Sequence, residues 1–102
     1  MVTKFIDDLP KDKSCEIIGN QLLRSSTSIG ANVVEAGAAS SRKDFTNFFN
    51  HALKSANESK FWLALLKDSG KASKELCDKL LEETNQISNI LASSILTLKG
   101  KK

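Results

Sequence analysis

Only one proline, Pro10, interrupts the 102 residues of this chain, and glycine is scarce at five residues. Proline lacks a backbone donor and clashes with the preceding helical turn, so the chain beyond position 10 is free to be helical. Strands need Val, Ile, Thr and aromatic residues in period-two alternation, and no stretch shows it. Apolar and small residues recur instead every three or four positions, the spacing of one helix face. The sequence therefore predicts an all-α protein: an antiparallel up-down four-helix bundle with a short first helix. At this length one domain with a thin core is expected, covering 1–102, with 98–102 as a flexible basic tail.

The first predicted helix runs from Val2 to about Leu9 and places Phe5, Ile6 and Leu9 on one face. Two turns are too short to be stable without tertiary packing. The second runs from Asp12 or Ser14 to Ala39, with Cys15, Ile18, Leu22, Ser25, Ile29, Val33 and Ala36 in one stripe. Its second half is nearly all small residues, including Ser25, Gly30, Ala31, Ala36, Gly37 and Ala38. Small side chains let another backbone approach, so this half is expected at the crowded centre of the assembly. Gly30 within a helix costs about 1 kcal/mol relative to Ala, which close packing would have to offset.

The third helix is predicted from Arg42 to about Ser69. Ser41 followed by Asp44 has capping-box spacing, and Gly70 is a favourable residue just past the end. Its stripe is Phe45, Phe49, Ala52, Ala56, Ser59, Leu63 and Leu66, widened by Phe48, Trp62 and Leu65. The fourth helix, capped by Ser73, carries Leu76, Leu80, Ile87, Ile90, Leu91 and Ile95 to about Leu98. Short connections make successive helices antiparallel neighbours.

The net charge of +3 comes from 15 Lys and Arg against 12 Asp and Glu. Three of the basic residues, Lys99, Lys101 and Lys102, fall in the last four positions; without them the chain is charge-balanced. No apolar run approaches the roughly 20 residues that span a bilayer, and the N-terminus lacks a signal peptide's apolar stretch. A cytoplasmic protein without a membrane partner is expected. Cys15 and Cys77, far apart and both in apolar-periodic segments, are read as buried reduced thiols in preference to a disulfide, and neither has a His or second Cys at zinc-binding spacing.

Chemistry is sparse. Di-iron bundles need Glu from facing helices and Glu-x-x-His pairs. Glu35 and Glu58 face each other in principle, but His51 is the only histidine and has no Glu three residues before it. His51 also lacks a carboxylate to orient it toward Ser55 or Ser59. Gly19, Gly30 and Gly37 are isolated in helical pattern, so no phosphate-cradling loop exists. No catalytic residue, metal, cofactor or small-molecule substrate is assigned, and a non-enzymatic protein is expected.

One constellation stands out. Arg24, Ser28, Asn32 and Glu35 recur at four, four and three residues, on one face of the second helix. A solvated face would carry Lys and Glu in place of Ser and Asn. The expected role is a structural polar network, with Glu58 as participant from the third helix; side chains of this kind fix register in bundles. A ligand site is the alternative.

The segment Gln21-Leu22-Leu23-Arg24-Ser25-Ser26-Thr27-Ser28-Ile29-Gly30-Ala31-Asn32-Val33-Val34-Glu35-Ala36 resembles the signature helix of a family of small bacterial four-helix bundle proteins. These are encoded by intervening sequences within 23S ribosomal RNA genes. The similarity continues through Ser41-Arg42-Lys43-Asp44-Phe45 and Ala52-Leu53-Lys54-Ser55-Ala56-Asn57-Glu58-Ser59-Lys60-Phe61-Trp62-Leu63. The family's recurrent Arg, Ser, Asn and two Glu positions fall on Arg24, Ser28, Asn32, Glu35 and Glu58. The resemblance implies a ring-shaped homopentamer. It also implies kinship with the accessory proteins of diversity-generating retroelements, which bind a reverse transcriptase and nucleic acid. Those proteins tend to be strongly basic, unlike the neutral body of this chain.

Two functions follow as expectations. The first is an accessory that binds RNA or DNA, or a reverse-transcriptase-like protein that processes them. Arg42, Lys43, Lys99, Lys101 and Lys102 would contact phosphates, without base stacking because Phe45, Phe48, Phe49, Phe61 and Trp62 read as core residues. The second is a self-assembling protein–protein interaction scaffold with no nucleic-acid role.

Overall fold

The computed structural model describes residues 2–100, and Lys101 and Lys102 of the expected tail lie outside them. Four helices follow in order: α1 (Val2–Asp7), α2 (Lys13–Gly37), α3 (Arg42–Asp68) and α4 (Lys74–Gly100). No strand occurs among the described residues. The bundle is elongated, 48 × 20 × 17 Å. α3 is central, packing on α2 along one side and on α4 along the other, while α1 lies against α2. The end that holds the α1–α2 and α3–α4 connections is called lower here. The end that holds the α2–α3 turn and the end of α4 is called upper.

Local chemistry explains the helix ends. Asp12 caps α2 by accepting from the Cys15 backbone N–H at 2.8 Å. Ser41 caps α3 by accepting from Asp44 N–H at 3.1 Å, as its spacing predicted. α3 ends in a Schellman motif, with Gly70 N–H donating to Lys67 O at 3.1 Å and Lys71 N–H to Leu66 O at 3.2 Å. Gly70 has φ +71°, a left-handed conformation that a Cβ disfavours. Ser73 accepts from Leu76 N–H at 3.4 Å at the start of α4. α4 runs two residues beyond its expected end, so Leu98 and Lys99 are helical. α2 stops at Gly37, two residues before its expected end.

The core is concentrated at the lower end, where all four helices meet. Phe5, Leu9, Cys15, Leu22, Leu63, Leu66, Cys77 and Leu80 form one buried cluster. α1 reaches it by close approach to α2 at Gly19, where a Cβ would come within 3.3 Å of Ile6 Cγ2. In the upper half α1 has ended, and the buried apolar residues are Ala36, Ala52, Ala56, Leu91 and Ile95. Fewer layers cover this half, so several stripe positions remain in solvent.

Three sequence expectations change here. Close packing does not offset Gly30 within the chain, because a Cβ there would meet nothing within 4 Å. Val33, Ile87, Ile90 and Leu76 lie on predicted apolar stripes yet are exposed. Phe61, read as core, is 58% exposed, because α3 points it away from both α2 and α4. The remaining phenylalanines, Phe45, Phe48 and Phe49, are only half-buried.

Candidate functional site

Two of the four residues predicted as a constellation on α2, Arg24 and Ser28, are hydrogen-bonded to α3. Arg24 donates from Nη2 to Glu58 Oε2 at 3.0 Å and to Gln21 Oε1 at 3.0 Å. Glu58 also accepts from Trp62 Nε1 at 3.3 Å, so one carboxylate oxygen bridges α2 to the α3 indole. One turn along, Ser55 Oγ donates to Ser28 Oγ at 2.9 Å. Asn32 Nδ2 donates back to Ser28, at 2.9 Å to its carbonyl and 3.1 Å to its hydroxyl. Arg24, Ser28, Asn32 and Glu58 thus line the α2–α3 seam, in two separate groups.

Glu35 does not join them. It is exposed near the end of α2, with no side-chain hydrogen bond or ion pair among the described residues. Three residues beyond Asn32 the helix has turned it past the α3 flank, so it does not face Glu58.

Between the two groups is a pair that the predicted network left out. Ser25 Oγ and Ser59 Oγ are 2.8 Å apart, and both residues are buried. Each also has a carbonyl acceptor on its own helix, Leu22 O for Ser25 at 3.2 Å and Ser55 O for Ser59 at 3.0 Å. The signal was present in the sequence: both serines occupy apolar-stripe positions, where a hydroxyl must find a partner. A second polar seam joins α3 to α4, where Lys60 Nζ donates to Ser88 Oγ at 3.1 Å and to Asn85 Oδ1 at 3.3 Å.

Charged contacts clasp the lower end. Lys71, just after α3, pairs with the α2 cap Asp12 at 2.8 Å. Lys67 of α3 pairs with Asp78 of α4 at 2.6 Å. The Lys71 ammonium, helped by the Cys15 N–H, holds the Asp12 carboxyl well below the usual carboxylate range. Lys67 likewise lowers the Asp78 carboxyl, and both lysines are raised in turn. Burial pushes the Cys15 and Cys77 thiols up, which keeps them protonated and poorly nucleophilic.

The cations proposed for phosphate contact gather at the upper end. Arg42 and Lys43 open α3, and Lys99 lies in the last turn of α4; all three are exposed. Lys101 and Lys102 fall outside the described residues. Among the described residues no three His, Cys, Asp or Glu side chains come together as a metal site. No described helix is long and apolar enough to cross a membrane.

The sequence and the fold, taken as a whole, have known relatives. Residues 1–93 match the sequence model described as 23S rRNA-intervening sequence protein. One similar crystal structure is that of a protein of unknown function from the S23 ribosomal protein family of Bacteroides thetaiotaomicron VPI-5482. The two superpose with a TM-score of 0.82 at 37% identity, over 92% of this chain and 83% of the other. Among curated proteins none matches. A match over residues 1–93, together with the shared bundle, establishes that this chain belongs to the 23S rRNA-intervening sequence protein family.

Proposed function

We propose that this protein is a non-enzymatic, self-assembling bundle that serves, once assembled, as an accessory to nucleic acid or to a protein that processes it. The observation that carries self-assembly is the upper half of α2. Gly30 and Gly37 stand in open space, and Ala31 and Ala38 beside them are exposed. Val34, in the same stretch, is 72% exposed. A helical glycine without a packing partner is a cost within the subunit, and a smooth surface of this kind suits the close approach of a second helix. Ile90 at 66% and Leu96 at 71% exposure add apolar surface on α4. A ring of five copies is the stoichiometry that the family resemblance suggests.

The nucleic-acid role rests on the exposed cations of the upper end and on the resemblance to accessory proteins that bind nucleic acid. Contacts from Arg42, Lys43 and the terminal lysines would be salt-sensitive and blind to sequence. The polar seam of Arg24, Ser28, Asn32 and Glu58 is assigned a structural role, since its partners are other side chains of the chain. Sedimentation at micromolar concentration tests assembly: a discrete oligomer is expected, and a monomer overturns the proposal. Binding of short RNA with and without residues 99–102, across a salt titration, tests the accessory role. Absence of any salt-dependent binding leaves a protein–protein scaffold as the function.

A further inference from the structure

The upper end holds more than charge. Phe45 and Phe49 stack one turn apart on α3, with ring centroids at 4.7 Å and an interplanar angle of 27°. They are half-buried and form one wall of a cleft of about 390 Å³, closed on the α4 side by Ser93, Ser94, Thr97 and Leu98. A second cleft of similar size shares Phe45 and Leu98 and extends past Ser40 to Arg42. These volumes are at the small end of the range for ligand clefts. Arg42 lines the second cleft, and Lys43 and Lys99 are exposed at the same end of the bundle, where Asp44 and Glu35 are the carboxylates of the adjoining α3 start and α2 end.

We infer that this paired cleft receives an unpaired base of a single-stranded nucleic acid, stacked against the Phe45–Phe49 pair, with its phosphates toward Arg42 and the other cations of the upper end. The inference deepens the nucleic-acid reading above and rests on it. An aromatic face, hydroxyls and positive charge together suit a base and its phosphate. Aromatic rings offer a sequence-tolerant stacking surface, and cations supply backbone attraction. An apolar helix fits less well. It would cover the Ser93 and Ser94 hydroxyls, which have no side-chain partner in the described structure, without giving them one. A base edge or a sugar supplies those partners. The sequence concealed this site because the phenylalanines read as core, whereas the missing fourth layer in the upper half leaves them accessible.

The test is fluorescence anisotropy of a labelled short single-stranded RNA at low salt, using the full chain. Phe45→Leu keeps apolar bulk and removes the aromatic face. Thr97→Glu puts a carboxylate on the cleft wall at an exposed position, where folding is not at risk. Phe61→Leu removes an exposed aromatic four turns away and serves as the control. We expect Phe45→Leu and Thr97→Glu each to weaken binding about tenfold or more, with Phe61→Leu unchanged. If the unaltered protein binds and both cleft variants bind equally well, the cleft inference is overturned while the cation-based reading stands. If the unaltered protein does not bind, the nucleic-acid reading fails and the inference with it. Equal loss in Phe61→Leu would overturn the location of the site. Displacement of the RNA by a mononucleotide at matched nucleotide concentration would overturn a strand as the occupant.

Discussion

Ser25 of α2 and Ser59 of α3 meet hydroxyl to hydroxyl at 2.8 Å, in an interior where each is almost wholly buried. Two small side chains at this level let the helices approach, and the hydrogen bond joins them across the seam. Each serine retains a carbonyl acceptor on its own helix. Ser25→Ala should therefore cost only about 0.5–1.5 kcal/mol, the ordinary net value of one hydrogen bond. Ser25→Leu should cost about 1–3 kcal/mol or more, through overpacking. Urea unfolding of the two variants checks the order; equal losses would contradict a closely packed seam.

The lower cluster should dominate stability. Leu22 and Leu63 are fully buried within it. Leu22→Ala or Leu63→Ala is expected to cost about 2–5 kcal/mol. Val34→Ala, at an exposed position, should leave subunit stability within about 0.5 kcal/mol. Thermal unfolding distinguishes the two classes directly.

Gly30 separates subunit stability from assembly. A methyl group at this helical position meets no atom of the same chain within 4 Å, so Gly30→Ala should stabilise the subunit by up to about 1 kcal/mol. If α2 packs on a neighbouring copy there, a bulkier Gly30→Leu should shift sedimentation toward monomer without unfolding the chain. Unchanged sedimentation in Gly30→Leu would remove Gly30 from the interface.

The lower clasp sets the pH response. The folded-state values of Asp12 and Asp78 lie below their unfolded ones, so their stabilisation is present above the ordinary carboxylate range and is lost as pH falls through the depressed values. Lys67 and Lys71 have raised values, so theirs is present below the ordinary lysine value and is lost as pH rises beyond the raised ones. Melting temperature should plateau between these limits. Asp12→Asn keeps a helix-capping side chain but removes the ion pair, and should flatten the acid limb. An acid limb as steep as that of the unaltered protein would assign it to other carboxylates.

The exposed part of the α2–α3 seam should matter little to folding. The Arg24 side chain is 68% exposed, so its pair with Glu58 is worth under about 1 kcal/mol. A double-mutant cycle of Arg24→Ala and Glu58→Gln measures the coupling. A coupling well above that value would show that assembly buries the pair.

The helices and their caps were legible because the signals are local. Ser41 caps α3 and Gly70 takes the positive φ after it, because each depends on backbone geometry within a few residues. Arg24, Ser28 and Asn32 were also legible as one flank of α2, since a spacing of four places successive members together, but not their division into Arg24 with Glu58 and Ser28 with Ser55. Glu35 was not separable from them in sequence. Its spacing of three from Asn32 fits the same stripe, and only the position of α3 shows where that flank ends.

Periodicity thus determined the number of helices, their approximate ends and the face each offers, since all three follow from hydrogen bonds and rotations within a turn or two. Burial was decided by the tertiary structure. Leu22 and Ile90 are both apolar-stripe residues, yet one lies beneath four converging helices and the other in solvent. The reason is that burial belongs to pairs of elements: α1 ends before the upper half, and no local pattern in α2, α3 or α4 records the absence of a neighbour. The same uncovered half leaves Phe45 and Phe49 beside the cations of the upper end.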